Sequence, residues 1–197
     1  MSYLIAGLGN IGQEYASTRH NIGFMVLDAW AQASNAVFTT KRYGATAEIS
    51  FKGQKFILLK PSTYMNLSGK AVNYWLQNLK IPRENLLVVL DDLAIPFGTL
   101  RMRAKGSDGG HNGLKNIDYC LATNEYARLR VGTGNGGFAE GHQVDFVLGE
   151  WLLEEKEALP EIIERAVNAI KCFGTEGISK AMTQFNQSPS SSRKKEE

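Results

Sequence analysis

The aliphatic run at residues 86–90, LLVVL, is the feature that most restricts how this chain can fold. An unbroken apolar run is typical of a strand covered on both faces, and such strands occur in parallel sheets with helices on either side. We therefore predict a buried strand over residues 85–90 that ends at Asp91-Asp92. The fold class that follows is α/β.

Strand-like and helical patterns alternate along the rest of the chain. Short strands are predicted at 3–7, 45–51, 55–59, 99–103 and 128–131, and the second and third of these form a hairpin because only three residues separate them. Helices are predicted to begin at Asn21 and Ser68 as capping residues, and to run through 114–121, 152–173 and 178–185. We expect a single-domain three-layer sandwich with a mixed, mostly parallel twisted sheet flanked by helices.

The length of 197 residues and the hydrophobic content of 43% suit one core. We assign the domain to residues 1–187 and expect the polar segment 188–197 to be a disordered tail. No apolar run approaches the roughly 18–20 residues of a membrane span, so we expect a cytoplasmic protein that does not contact a membrane. A net charge of +2 decides nothing about nucleic-acid binding, which must depend on local clusters.

Gly7, Gly9 and Gly12 follow the first predicted strand with the G-x-G-x-x-G spacing of dinucleotide-binding folds. The segment after them, 13–20, lacks helical periodicity, and the acid at a suitable distance, Asp28, lies inside a predicted helix. We therefore expect no cofactor and interpret the glycines as forming a tight turn. A nicotinamide or flavin oxidoreductase stays as an alternative that saturable cofactor binding would reveal.

Several polar residues could perform chemistry at the carboxyl ends of the strands. His20 and His111 both lie beside asparagines, Asp91 ends the central strand, and amides are offered by Asn10, Asn66 and Asn112. Such strand ends meet in one crevice of an open α/β sheet. From this set we predict that His20 acts as a general base and activates a water molecule, which attacks an ester or an activated amide. The three histidines have no metal-ligand spacing, so no metal is expected.

A basic cluster includes Arg101, Arg103 and Lys105, whose alternation predicts one shared sheet face. We assign Lys115, Arg128 and Arg130 to the same cluster. A solvated face and a phosphate-binding face remain equally open on this pattern, although arginine suits phosphate geometry.

Seven stretches together resemble the bacterial-type peptidyl-tRNA hydrolase family, in order and across nearly the whole chain. They are GLGN-x-G-x-x-Y (7–15), TRHNIGF (18–24), KPSTYMNLSG (60–69), Asp91-Asp92, GSDGGHNGLKNI (106–117), RLRVG (128–132) and FVLG (146–149). The resemblance implies hydrolysis of the ester between a peptide and the 3′-terminal ribose of tRNA, which recycles tRNA from prematurely released peptidyl-tRNA. A non-catalytic RNA-binding relative is the alternative from another class.

The resemblance also implies roles for individual residues. His20 would be the base, Asp91 would orient it, and Asn10 would act with them near the ester. Asn66 would bind the peptide backbone and help to polarise the ester carbonyl. Substrate-binding positions would be Tyr15, Met65, Asn66, Leu93, Asn112 and Val147, and tRNA phosphates would meet Arg103, Arg130 and Lys105. His111 is expected to play a supporting role, and the glycine-rich segment 132–141 with the region before FVLG would form a lid. The expected partner is peptidyl-tRNA, bound by a monomer.

Overall fold

A seven-stranded mixed sheet forms the middle layer of the protein, whose computed structural model describes residues 1–136 and 141–186. In chain order the strands are β1 (Ser2–Gly7), β2 (Thr39–Lys41), β3 (Gly44–Phe51), β4 (Gln54–Pro61), β5 (Leu86–Pro96), β6 (Leu100–Arg103) and β7 (Ala127–Gly134). Their spatial order is β2-β3-β4-β1-β5-β7-β6. The four central strands run parallel, while β3 and β6 pair antiparallel with their neighbours β4 and β7.

Helices cover both faces of this sheet: α1 (Ile22–Ala33), α2 (Ser68–Leu79), α3 (Asn112–Leu121), α4 (Gln143–Val147), α5 (Leu153–Glu176) and α6 (Ile178–Phe185). Side chains alternate along β5, so Leu87 and Val89 join the apolar cluster under α1, α5 and α6, while Val88 and Leu90 join the cluster under α2 and α3. The predicted three-layer α/β sandwich is confirmed, and so is the antiparallel hairpin of β3 and β4.

The glycines near the first strand act mainly through close packing. A Cβ on Gly7 would lie 2.4 Å from the carbonyl oxygen of Gly23, and a Cβ on Gly23 would lie 2.5 Å from the backbone nitrogen of Leu8. Only Gly12 in this group has a positive φ, at 117°. The predicted tight turn is therefore correct for Gly12, whereas Gly7 lets the start of α1 approach the end of β1.

The predicted helix caps are only partly correct. Asn21 occupies the N-cap position of α1, but its side chain accepts no capping hydrogen bond. Ser68 is not a cap: it is the first residue of α2, and its hydroxyl donates to the carbonyl of Met65 at 2.7 Å. The central strand also extends farther than predicted, to Pro96.

The predicted tail at 188–197 lies outside the described residues. Within the described part of the chain, none of the helices has the length and apolarity needed to cross a bilayer.

Candidate active site

Asp91 lies on the part of the central strand β5 that extends beyond the end of its neighbour β1. The pairing of β1 with β5 ends at Gly7 and Val89, but β5 continues along β7 through Asp92. Because side chains alternate, Asp91 shares the sheet face of Val89, which α1 covers. The short 3₁₀ turn Arg19–Asn21, just ahead of α1, places His20 against the Asp91 side chain. Nδ1 of His20 lies 2.9 Å and 3.0 Å from the two carboxylate oxygens of Asp91.

His111 approaches the same carboxylate from the N-terminus of α3. Its Nε2 lies 3.0 Å from Oδ1 of Asp91, and its Nδ1 accepts a hydrogen bond from the backbone N–H of Gly113 at 3.1 Å. A backbone N–H is always a donor, so in the neutral ring Nδ1 of His111 accepts from Gly113 and Nε2–H donates to Asp91. The cap on α3 thus fixes the orientation of His111 and the tautomer of its neutral form.

The same reasoning assigns the proton on His20. A carboxylate only accepts, so Nδ1–H of His20 donates to Asp91 and Nε2 keeps its lone pair. No hydrogen bond reaches Nε2 from any residue in 1–136 or 141–186. His20 is therefore held in the tautomer that a general base requires.

Burial and charge act in opposite directions on this cluster. Burial raises the pKa of Asp91, but attraction and hydrogen bonds from His111 and His20 outweigh it and hold that pKa well below its usual range. For His20, burial lowers the pKa, while the hydrogen bond and the charge of Asp91 raise it, with a net upward shift. Asp91 therefore stays ionised and favours the protonated form of His20.

Asn21, a residue that the sequence suggested only as a cap, holds the turn after β1. Its side chain accepts from the backbone N–H of Asn10 at 2.7 Å and donates to the carbonyl of Asn10 at 2.9 Å. Asn21 is buried, so this clasp is shielded from water. The clasp fixes Asn10 beside His20. In the sequence, only the position of Asn21 next to His20 could have indicated this role.

A cavity of about 310 Å³ opens at this edge of the sheet. It is lined by His20, Asp91 and His111 together with six of the other predicted site residues, which are Asn10, Met65, Leu93, Asn112, Arg130 and Val147. Tyr15, Asn66, Arg103 and Lys105 are absent from the lining. Of these four, Tyr15 is half-buried and the other three are exposed.

The predicted lid is only partly described. Residues 132–134 belong to β7, residues 137–140 lie outside the described residues, and α4 contributes Gln143, Val144 and Val147 to the cavity.

The basic cluster divides into two kinds of arginine. In the β6–β7 ladder Arg101 lies opposite Arg130, and Arg103 lies opposite Arg128, so all four share one face. Arg128 is fully buried and donates to the carbonyls of Gly106, Asn124 and Tyr126, so grouping it with a surface cluster was wrong.

The other members of the cluster remain closer to solvent. Arg130 donates to Asp92 at 3.3 Å and to the carbonyl of Ser107 at 2.6 Å. Arg103 is exposed at the end of β6, and the predicted alternation does not reach Lys105, which follows the strand.

His20, Asp91 and His111 are also the residues with the geometry of a potential metal site, since one ligand atom from each lies within 4.8 Å of the others. Direct hydrogen bonds already join these atoms, and Nδ1 of His111 is occupied by Gly113. The contacts therefore describe a hydrogen-bonded His–Asp–His cluster, in which both rings donate to one carboxylate.

In sequence and in fold the chain is similar to peptidyl-tRNA hydrolases. The family of that description matches residues 4–195. The peptidyl-tRNA hydrolase of Phocaeicola vulgatus is 61% identical over 95% of this chain and 100% of its own length, and that of Cytophaga hutchinsonii is 56% identical over 94% and 98%. A crystal structure of peptidyl-tRNA hydrolase from Acinetobacter baumannii matches with a TM-score of 0.87 at 33% identity, covering 93% of this chain and 94% of that one.

Proposed function

Because the chain belongs to the peptidyl-tRNA hydrolase family, we propose that it cleaves the ester between a peptide and the 3′-terminal ribose of tRNA, with His20 as general base. The observation that carries this assignment is the hydrogen bond of 2.9 Å from Nδ1 of His20 to Asp91, which leaves Nε2 free on a residue lining the cavity. The physiological role that follows is the recycling of tRNA from prematurely released peptidyl-tRNA.

The reaction begins when Nε2 of His20 takes a proton from a water molecule as its oxygen attacks the ester carbonyl. Asp91 stabilises the imidazolium that forms, and the Nε2–H of His111 keeps the carboxylate oriented. Collapse of the tetrahedral intermediate breaks the bond to the ribose oxygen, which receives the proton from His20. The products are a free peptide carboxylate and a tRNA with an intact 3′ hydroxyl.

Amide side chains around the cavity supply the polar contacts to the substrate. Asn10 and Asn112 line the cavity and offer donors to the ester carbonyl. Asn66 follows the lining residue Met65 in the chain, so we assign it to the peptide backbone at the rim. Each donor directed at the oxyanion contributes about 3–4 kcal/mol to the lowering of the barrier.

The tRNA end of the substrate is assigned to the β6–β7 face. Arg130 lines the cavity, whereas Arg103 and Lys105 are exposed beyond it. We therefore assign the tRNA phosphates nearest the ester to Arg130 and those farther away to Arg103 and Lys105. Leu93 and Val147 offer apolar contacts within the cavity, and Tyr15 is assigned to its outer margin. We propose that a cytoplasmic monomer performs the reaction without a metal or cofactor.

The decisive experiment is hydrolysis of N-acetyl-aminoacyl-tRNA, with free aminoacyl-tRNA as the matched substrate control. Wild-type protein is expected to hydrolyse the blocked substrate in preference to the free one, and His20→Ala is expected to lose turnover while it still binds tRNA. Binding of tRNA by the wild type without release of N-acetyl-amino acid would favour the non-catalytic RNA-binding alternative.

A further inference from the structure

Arg19 precedes His20 in the chain, but its guanidinium lies between α4 and α5 and is absent from the cavity lining. Its Nη1 donates to the carbonyl of Phe146 at 3.2 Å, and its Cζ lies 4.3 Å from the centre of the Phe146 ring. Its Nη2 forms an ion pair with Glu155 at 2.9 Å, in which the two side chains are 6% and 5% exposed. Arg19 thus joins three separate segments of the chain.

Glu155, in the first turn of α5, holds the Arg19 guanidinium. The carboxylate oxygen that accepts from Arg19, Oε1, also accepts from the backbone N–H of Leu152 at 2.8 Å, at the start of α5. One buried carboxylate therefore caps α5 and holds Arg19. The guanidinium is a planar fork, so it can bind a carboxylate and a carbonyl at once, which an ammonium does less well.

The segment held in this way forms part of the cavity wall. Val144, Val147 and Leu148 line the cavity, yet no residue of α4 is buried. A helix of five residues is not stable by itself, and α4 lacks a buried face that would fix it by packing. The contacts that hold it include those of Arg19, the backbone bond from Arg19 N–H to the carbonyl of Gly149 at 3.1 Å, and the bridge between Thr18 and Glu150.

We propose that Arg19 is a positioning residue that fixes the apolar α4 wall of the cavity relative to His20, and thereby sets the affinity for the part of the substrate next to the ester. The role of Arg19 rests on the proposed function. It acts through Phe146 and α4, whereas the His20–Asp91 pair has its own contacts with His111. Loss of the arginine contacts should therefore weaken substrate binding more than it slows the chemical step.

Arg19→Met keeps an unbranched apolar stem and removes the guanidinium with its charge and both hydrogen bonds. This change leaves Glu155 buried without its cation, which by itself is strongly destabilising. The double variant Arg19→Met/Glu155→Gln removes that buried charge while the glutamine oxygen still caps Leu152. Arg19→Lys is the conservative variant. Arg165→Met is the control, since Arg165 extends from α5 to the carbonyl of Gly98 at 3.1 Å and neither residue lines the cavity.

The test combines steady-state kinetics on N-acetyl-aminoacyl-tRNA with hydrogen exchange of backbone amides 146–149 in the absence of substrate. For the double variant we expect KM to rise about tenfold or more, because the free energy lost with one hydrogen bond to a charged group corresponds to a factor of that order. We expect kcat to fall less than about threefold, the pH profile of kcat to stay unchanged, and amides 146–149 to exchange faster. Arg19→Lys should recover part of the affinity, and Arg165→Met should match the wild type in KM and in exchange of these amides.

A fall in kcat at unchanged KM, or unaltered exchange of amides 146–149 in the double variant, would overturn the proposal, because either result means that Arg19 does not hold this wall. The exchange measurement requires no substrate, so it tests the contact even if the wild type fails to hydrolyse peptidyl-tRNA. Failure of the proposed function would appear in the wild-type assay alone.

Discussion

Asp91→Asn tests the assignment of the base most directly, because the structure specifies how an amide would be oriented there. His111 must donate through Nε2, since Gly113 occupies its Nδ1. The amide oxygen at residue 91 would therefore take the place of Oδ1, and the amide N–H₂ would take the place of Oδ2, which lies 3.0 Å from Nδ1 of His20. To avoid two opposed donors, His20 would place its proton on Nε2, and the base would lose the lone pair that takes a proton from water.

The expected loss follows from the contribution of a positioned base. General-base catalysis contributes about 10² to 10⁴ in rate, or about 2.7–5.4 kcal/mol in the activation barrier. We therefore expect kcat of Asp91→Asn to fall by about 10² to 10⁴, with little change in KM. The measurement is single-turnover hydrolysis of N-acetyl-aminoacyl-tRNA, with Asp28→Asn as a control, since Asp28 pairs with Lys60 at 2.6 Å outside the cavity lining.

The pH profile gives an independent readout of the same pair. Because the pKa of His20 is raised, the neutral base is lost as the pH falls through that raised value, and activity should fall with it. Without the charge of Asp91, burial is left to lower the pKa of His20, so the acid limb of any residual activity should move to lower pH. A kcat within about fivefold of wild type, or an unshifted acid limb, would refute the tautomer argument.

Three further outcomes are expected. Arg103→Ala should weaken tRNA binding and reduce the slope of log K against log salt concentration by about 0.7–0.9, measured by salt titration, and an unchanged slope would remove Arg103 from the phosphate contacts. Gly23→Ala should lower the free energy of unfolding in urea by roughly 1–3 kcal/mol, because its Cβ would meet backbone atoms of Leu8 and Val89; stability equal to wild type would contradict this packing. Incubation with EDTA followed by buffer exchange should leave turnover unchanged, whereas loss of activity that Zn²⁺ restores would identify the His–Asp–His cluster as a metal site.

The sequence by itself determined the fold class and much of the cavity. The unbroken aliphatic run of β5 required cover on both faces, and parallel strands bring their carboxyl ends to one edge of the sheet. These two facts were enough to predict that Asn10, His20, Asp91 and Asn112 would meet, whereas Asn66, which was predicted to join them, is absent from the cavity lining. They involve only hydrophobic pattern and strand direction, which are local properties of the chain.

Tertiary structure decided which polar groups pair with which. Asn21 could cap a helix or clasp Asn10, and only the approach of β1 to α1 across Gly7 and Gly23 selected the second. Arg128 and Arg103 read alike in sequence, yet one is buried among carbonyls and the other is exposed. A side-chain hydrogen bond depends on partners distant in sequence, which no local pattern specifies, so Arg19 and its contacts with Phe146 and Glu155 became apparent only in the folded chain.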